Sequence, residues 1–288
     1  MKYTLLAYII TVFFFSCGTT EKVISETTPV VVTKNEDEIE VEEEIEIDYE
    51  ETYETNVIEK TDDEEEEVTS VVIKEAFNHS IWNALLQKYV TKEGNVNYEG
   101  FRQERGILRE YIASLGAQIP AESWTKEDKL AYWMNAYNAM TVDLILRNLP
   151  LQSIKDIDKP WNQRLWKLGN KWYNLDEIEH QILRKMDEPR IHFGINCASF
   201  SCPPLLNEAF TRETVNNQLE GLAFTFINDK KRNTITSNTI EISKLFNWFS
   251  KDFKQNGSVI DYLNQYSEIK INSNARKRYK DYDWSLNN

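Results

Sequence analysis

The strongest constraint on the fold of this 288-residue chain is an acidic segment close to its N-terminus. Residues 18–75 contain 22 acidic and four basic side chains, a net charge of −18, whereas residues 76–288 contain 25 acidic and 28 basic ones, a net charge of +3. The acidic segment has only two aromatic residues, Tyr49 and Tyr53, so it cannot bury enough apolar surface to offset its chain entropy. We therefore predict a disordered acidic linker over 18–75 and one globular domain over 76–288.

The composition of the domain argues against several classes of function. Its near-neutral charge lacks the concentrated basic face that binding to nucleic acid requires. Nine glycines and three cysteines exclude a collagen-like or a disulfide-dense chain. The sequence has no glycine-rich phosphate loop, no HExxH and no GxSxG, so we assign no cofactor. It carries no signal for the oligomeric state.

Residues 1–17 are typical of an export signal. Lys2 precedes an apolar run of 13 residues, which is too short to span a bilayer comfortably and is followed by Ser16 and Cys17. Phe14–Gly18 resembles the bacterial lipobox, which implies that Cys17 is lipidated and becomes the first residue of the mature chain. This predicts a protein anchored by lipid to the bacterial cell envelope. The outer membrane is the expected location, because the next residues lack the Asp that commonly retains such proteins at the inner membrane. The alternatives are an ordinary secretion signal and an uncleaved anchor.

The domain has the pattern of a helix-rich α+β fold. Apolar side chains at helical spacing predict helices over 82–90, 101–115, 125–147, 175–184, 211–226, 242–253 and 259–265. Turn residues at Gly169-Asn170 and Ser237-Asn238 separate short alternating stretches, so we predict two β-hairpins. Arg190–Asn196 is predicted as a further strand. The expected architecture is a single α+β domain with a small antiparallel sheet.

The densest polar constellation is the stretch 190–204. It contains His192, Cys197 and Cys202, and Pro203-Pro204 favours a turn there. Two thiols in an exported chain indicate a disulfide, provided that the turn brings them together. A reactive thiol and a metal site are the other two interpretations, and the spacing matches no recognised metal-ligand pattern.

A nucleophilic thiol needs a base that lowers its pKa or removes its proton. On a straight strand His192 and Cys197 would point to opposite faces, so His180, on a separate helix, is the better partner for Cys197. Arg184 lies one turn from His180 on the same face, whereas Glu179 is expected to point elsewhere. The alternative for His180 is a partly buried structural histidine.

Asn135 and Asn138 form a second unusual pair. They lie three residues apart inside an apolar, aromatic helix and therefore share a face. Buried amides are costly unless they are hydrogen-bonded. We expect them either to bind a substrate or, as the favoured alternative, to hold neighbouring backbone groups.

Five stretches of the domain together resemble the DUF547 family, namely Trp133–Ala139, Leu175–Arg184, Arg190–Leu205, Trp248–Phe253 and Tyr282–Asn287. The resemblance covers about residues 80–287. Because the family is named for an unknown function, it implies a domain boundary and a set of polar positions but no reaction. Those positions are Asn135, Asn138, Glu179, His180, Arg184, Arg190, His192, Cys197, Ser201 and Cys202.

The first functional hypothesis is a thiol-dependent hydrolase or acyl transferase that acts on a peptide or a small amide or acyl substrate. Cys197 would be the nucleophile, His180 or His192 the base, and Asn135 the group that stabilises the oxyanion. The residues expected to bind substrate are Asn138, Arg184, Arg190 and Ser201, with the two arginines holding an anionic part.

Two other hypotheses use the same residues. One is a non-catalytic envelope binding module in which a Cys197–Cys202 disulfide is structural. The other is a metal-dependent enzyme with His and Cys ligands, although no ligand set is assigned from the sequence.

Overall fold

The computed structural model describes residues 54–55, 71–72 and 76–288. The α-helices in these ranges are α1 Ser80–Tyr89, α2 Tyr98–Gln103, α3 Arg105–Ala117, α4 Lys126–Asn148, α5 Leu175–Glu177, α6 Ile191–Gly194, α7 Val215–Asn228, α8 Leu245–Trp248 and α9 Val259–Tyr266. The strands are β1 Glu54–Thr55, β2 Val71–Val72, β3 Trp166–Leu168, β4 Lys171–Tyr173, β5 Thr234–Ile235, β6 Thr239–Ile242 and β7 Arg276–Tyr279. This arrangement confirms the predicted helix-rich α+β class.

Helix α4 is central to the larger hydrophobic core. It begins with a capping box in which the Thr125 side chain accepts from the Asp128 amide and the Asp128 carboxylate accepts from the Thr125 amide. Every residue from Leu130 to Leu146 is buried, so neighbouring elements cover the helix on all sides. Helices α2, α3 and α7 contact it directly. Polar side chains on α4 can therefore reach the backbone of several other elements.

The strands form small sheets. β3 and β4 pair antiparallel across the Gly169-Asn170 turn, and β5 and β6 form the second predicted hairpin. Gly169 has a φ of +56°, which glycine adopts without the steric penalty of a Cβ. β7 adds to β6 in parallel, so this sheet is mixed. Turn signals did not predict that pairing, because the partner strand is distant in the sequence.

A second core cluster combines aliphatic side chains with the aromatic rings of Phe193, Phe226, Phe246, Phe253 and Tyr262. It joins α6 and α7 to the C-terminal helices.

Two predicted helices are interrupted: the 101–115 stretch is divided at Glu104 between α2 and α3, and the 242–253 stretch contains α8 and a separate 3-10 turn.

The C-terminal segment after β7 ties the Cys-containing loop to the rest of the domain. The amide of Phe200 donates to the Ser285 carbonyl at 2.7 Å. The Tyr98 hydroxyl donates to the Asn287 side chain at 2.7 Å. Because this segment crosses the loop, Tyr282 is brought beside the two cysteines.

The predicted strand over 190–196 is wrong, since residues 191–194 form the short helix α6. The amides of residues 191–193 donate to carbonyls three residues earlier, so the segment satisfies its own backbone donors. The carbonyl of Gly194 is taken by the Asn138 side chain, a partner that local sequence does not reveal.

The predicted signal peptide, including Cys17, lies outside the described residues. So does most of the predicted linker 18–75. Of that linker, the structure describes only β1 and β2, which pair antiparallel.

Candidate active site

A cavity of about 290 Å³ collects side chains from distant parts of the domain. Its aromatic lining residues are Tyr137, Trp161, Trp248, Phe249, Tyr282 and Trp284. Its polar lining residues are Asn162, Asp176, Glu179, His180, His192, Cys197 and Cys202. The structure therefore brings both predicted histidines and both cysteines to one cavity, as the thiol hypothesis requires.

The loop after α6 is shaped by Asn196. Its side-chain oxygen accepts from the Ala198 amide at 2.7 Å, and its Nδ2 donates to the Pro203 carbonyl at 2.7 Å. Ala198 has a φ of +59°, a left-handed conformation that is uncommon for a residue with a Cβ. The loop folds back on itself, so the Sγ atoms of Cys197 and Cys202 lie 3.1 Å apart as free thiols.

The Cys197 sulfur is surrounded by groups that can donate to it. Besides Cys202 Sγ, these are the Ser199 hydroxyl at 3.2 Å and the Tyr282 hydroxyl at 3.4 Å. Hydrogen bonds, above all the one from Cys202, outweigh burial and lower the pKa of the Cys197 thiol to about 6. At neutral pH the arrangement therefore favours a thiolate at Cys197.

The pKa of Cys202 is shifted in the opposite direction from that of Cys197. Burial and the neighbouring Cys197 sulfur raise the pKa of the Cys202 thiol well above its usual value. The amide of Cys197, 3.0 Å from the Cys202 sulfur, acts in the other direction but is outweighed. The two cysteines therefore differ. The Cys202 thiol stays protonated and is the hydrogen-bond donor to the Cys197 sulfur.

Glu179 is a buried carboxyl that lines the same cavity. It lies in a π-helical turn, Ile178–Ile182, and its Oε2 accepts from the Tyr137 hydroxyl at 3.2 Å. Burial and the charge of the Cys197 sulfur raise the pKa of Glu179 to about 7, and the bond from Tyr137 opposes this only in part. The pKa of this carboxyl is thus raised toward that of the Cys197 thiol, which is lowered.

Glu179 was expected to point elsewhere than His180 and Arg184, and its carboxylate does bond Tyr137, but it lines the same cavity as His180. Positions three and four after Asp176 share one side of a helical segment, and Asp176, Glu179 and His180 all line the cavity.

His180 and His192 are joined by a polar chain. Nη1 of Arg184 lies 3.1 Å from Nδ1 of His180, and Nε and Nη2 of Arg184 donate to the Asp252 carboxylate at 2.6 and 2.8 Å. Nε2 of His192 lies 2.8 Å from Oδ2 of the same carboxylate. Since the guanidinium can only donate, Nδ1 of His180 accepts, and a neutral His180 carries its proton on Nε2. That atom is 3.6 Å from Asp176.

Burial and hydrogen bonds determine which groups of this polar chain are charged. Burial disfavours the Asp252 carboxylate, but hydrogen bonds from His192 and Arg184 outweigh it and hold the pKa of Asp252 far below its usual range. Burial lowers the pKa of His192 and of His180, so both imidazoles are favoured in the neutral form. His192 is further fixed by stacking on Phe249, with ring centroids 3.9 Å apart. Among the described residues, neither imidazole is hydrogen-bonded to a sulfur.

The two asparagines of α4 lie away from the cavity lining. Asn135 donates to the Phe210 carbonyl and accepts from the Phe210 amide, at 2.8 and 3.0 Å. Asn138 donates to the Gly194 carbonyl at 2.9 Å and accepts from the Asn196 amide at 2.8 Å. Each amide donates one hydrogen bond to the backbone and accepts one from it, which supports the structural alternative.

Two of the residues expected to bind substrate also lie elsewhere. The Ser201 hydroxyl accepts from the Asp283 amide at 2.9 Å and holds the C-terminal segment. Arg190 lines a separate polar cleft, where it pairs with Glu188 at 2.7 Å and with Glu220 at 3.2 Å.

Several residues that shape the site were given no role from the sequence: Tyr137, Asp252 and Tyr282, and also Glu179, which the family resemblance included only as a polar position. The spacing Asp176-x-x-Glu179-His180 was the available signal for the carboxyl, because it places three polar groups on one side. Asp252 and Tyr282 belong to stretches quoted for the family resemblance, but nothing local connects them to a cysteine or a histidine.

In the part of the chain that the structure describes, no group of three or more His, Cys, Asp or Glu side chains is arranged to hold a metal ion. Within the same residues, no helix combines the length and the apolar character that crossing a membrane requires.

A protein-family model matches the part of the chain that contains the cavity cysteines. The family model described as "Protein of unknown function, DUF547" matches residues 121–227, which run from just before α4 to the end of α7 and include Glu179, His180 and both cysteines. No curated protein and no solved structure matches the chain. The match supports the family resemblance seen in the motifs.

Proposed function

We propose that this chain, whose DUF547 match contains the cysteine pair, is a thiol-dependent acyl transferase or amide hydrolase with Cys197 as its nucleophile. The observation that carries the proposal is the position of the Cys197 sulfur, which lies at a cavity and within 3.4 Å of the Cys202 thiol and the Ser199 and Tyr282 hydroxyls. Such donors stabilise a thiolate, which is the nucleophilic form of cysteine.

In the proposed reaction the Cys197 thiolate attacks a substrate carbonyl carbon and forms an S–C bond. The bond from that carbon to the leaving group breaks, and Glu179, in its protonated form, gives its proton to the departing nitrogen or oxygen. Water or an acceptor amine then attacks the thioester, gives one proton to the Glu179 carboxylate, and the C–S bond breaks to restore the thiolate. The raised pKa of Glu179, about 7, suits a group that must give and regain a proton near neutral pH.

Glu179 thus takes the acid–base role that was predicted from the sequence for His180 or His192. His180, Arg184, Asp252 and His192 are positioning residues in this proposal. Their hydrogen-bonded chain keeps both imidazoles oriented at the cavity wall without placing either one on a sulfur.

The test uses p-nitrophenyl acetate as an acyl donor and peptide mass spectrometry as the readout. Wild type is expected to carry one acetyl group on Cys197, and the Cys197→Ser variant none at that loop. Cys202→Ser is the matched control, since it changes the neighbouring sulfur and should keep the acetyl group on Cys197. Acetylation confined to lysines, or equal in all three proteins, would contradict the proposal.

A non-catalytic binding module is the second candidate, and the separation of 3.1 Å between the two sulfurs favours it. Small movements of the loop would allow a disulfide, which would remove the nucleophile. Thiol counting on the mature protein, isolated without reductant, separates the two functions. The enzyme is expected to have two free thiols in the domain, whereas a structural disulfide leaves none.

We further propose that the domain is held at the bacterial cell envelope by a lipid on Cys17. The support is the sequence of residues 1–17 and the long acidic segment that follows, which suits a spacer between a membrane and the domain. Radiolabelled palmitate should label wild type and leave Cys17→Ser unlabelled. Equal labelling of both proteins would end the proposal.

A further inference from the structure

The cavity next to Cys197 has an aromatic wall made of Trp248, Tyr282 and Trp284. Their ring centroids lie 4.5 to 5.8 Å apart in all three pairs. The Tyr282 hydroxyl is 3.4 Å from the Cys197 sulfur, so this wall begins at the proposed nucleophile. Trp248 is 46% exposed, which leaves part of the cluster open to a ligand.

The ionisable groups of the same cavity are mainly acidic. Asp176 and Glu179 line it together with the Cys197 sulfur, and among the described lining residues none is a lysine or an arginine. A negative charge on a substrate would therefore be repelled by the Asp176 carboxylate and the Cys197 thiolate, whereas a positive charge would be attracted by both and by the negative faces of the aromatic rings, with the protonated Glu179 carboxyl as a neutral hydrogen-bonding group.

Both arginines expected to hold an anionic group are paired with carboxylates, although Arg184 also reaches the cavity residue His180 at 3.1 Å. Arg184 makes two hydrogen bonds to Asp252, and Arg190 lies in the separate polar cleft with Glu188. One cation does approach the aromatic wall: the ammonium of Lys155 lies 5.2 Å from the Trp284 ring centroid. That contact is a cation–π interaction, the kind of contact that this wall can offer to a ligand.

We propose that the cavity binds a positively charged alkylammonium or guanidinium group of the substrate between the aromatic wall and the Asp176 and Glu179 carboxyls. Placing the substrate carbonyl at Cys197 rests on the proposed function, but binding of the cationic group does not. A volume of about 290 Å³ suits a group of the size of a lysine or arginine side chain.

The inference is tested by measuring binding to the full-length Cys197→Ser protein. This variant has no thiol nucleophile at this position, so binding is measured separately from the reaction. The wild type is measured in parallel. The probes are Nα-acetyl-lysine N-methylamide, the neutral norleucine analogue and the anionic glutamate analogue. Their binding is measured by tryptophan fluorescence and by calorimetry. The lysine probe is expected to bind about tenfold more tightly than the norleucine probe, and the glutamate probe more weakly than both. Added salt should reduce the preference for lysine.

Variants locate the binding. Asp176→Asn and Trp284→Leu should each weaken the lysine probe about three- to tenfold. Trp172→Leu is the matched control, because Trp172 is 52% exposed and does not line the cavity, and it should change nothing.

Equal affinity for the lysine and norleucine probes, or tighter binding of the glutamate probe, would overturn the inference. If the lysine probe binds as expected but Cys197 is never acetylated, the proposed function fails and the cationic preference stands. If acetylation occurs without any preference for the lysine probe, only the inference fails.

Discussion

Two sets of buried polar side chains in this domain behave differently. Asn135 and Asn138 on α4 have amide groups that are matched on both sides by backbone donors and acceptors. Cys197 and Glu179 are ionisable groups at a cavity wall. Hydrogen bonds, above all the one from Cys202, lower the pKa of Cys197, whereas burial and the charge of the Cys197 sulfur raise the pKa of Glu179.

The difference shows how one domain can bury polar groups for two purposes. A neutral amide with every hydrogen bond satisfied adds specificity to the core and offers nothing to a ligand. A carboxyl with one hydroxyl donor remains costly to ionise, and this cost keeps its proton available. We therefore expect substitutions in the first set to change stability at every pH, and those in the second to change pH dependence and thiol reactivity.

The largest effect is expected from Asn138→Leu. The substitution leaves the Gly194 carbonyl and the Asn196 amide buried without partners, so the free energy of unfolding should fall by about 4 kcal/mol. Urea denaturation measures it. Asn148→Leu is the matched control at the exposed end of the same helix, where the amide bonds one carbonyl, and it should cost less than about 1 kcal/mol. Similar losses in both variants would remove the distinction between the two sets.

Glu179→Gln should change the pH dependence of stability. The pKa of Glu179 is raised from 4.5 to about 7 on folding, so the native state holds the proton more tightly. The stability linked to that proton is complete below pH 4.5 and is lost as pH rises to about 7. Relative to Glu179→Gln, wild type should lose about 3 kcal/mol between pH 4.5 and 8.

Thermal or urea unfolding of the two proteins across this range gives the difference directly, and the shared titration of other groups cancels. Glu99→Gln serves as the control, since the Glu99 side chain is 64% exposed, does not line the cavity, and solvent screens its charge. A difference between wild type and Glu179→Gln that is constant with pH would show that burial does not disturb this carboxyl.

The contrast between the two sets also explains what could be predicted from the sequence. The capping residues Thr125 and Asp128 and the turn at Gly169-Asn170 act locally, and both α4 and the β3–β4 hairpin form where those signals lie. The structural alternative for the asparagines followed from the cost of burying an amide in an apolar helix. Such inferences succeed because their physical cause is contained in a few neighbouring residues.

The site could be predicted only in part, because its chemistry depends on long-range contacts. His180 and Cys197 were expected to meet, and they do line one cavity. Asp252 bonds His192 across 60 positions of sequence, and Tyr282 reaches Cys197 across 85. The strand expected over 190–196 failed for the same reason, since among the described residues no strand pairs with this segment and Asn138 takes the Gly194 carbonyl.

Cys202→Ala should raise the apparent pKa of Cys197 by about one unit. The substitution removes the largest hydrogen bond that stabilises the thiolate, and such a bond is worth about 1 to 1.5 kcal/mol. The rate of alkylation by iodoacetamide, followed from pH 4 to 10, reports this pKa. Cys202→Ser retains a hydroxyl donor and should shift the pKa less. An unchanged profile in both variants would mean that Cys202 does not share its proton with Cys197.

The smallest effect is expected from Tyr282→Phe. The Tyr282 hydroxyl is 3.4 Å from the Cys197 sulfur, the longest of the three contacts, so its loss should raise the apparent pKa of the thiol by about half a unit or less. The same alkylation profile measures the shift. Ser199→Ala should give a rise of similar size, because its hydroxyl bonds both the sulfur and Tyr282. A rise larger than that of Cys202→Ala would reverse the ranking of the donors, and the thiolate would then depend on the C-terminal segment more than on the second cysteine.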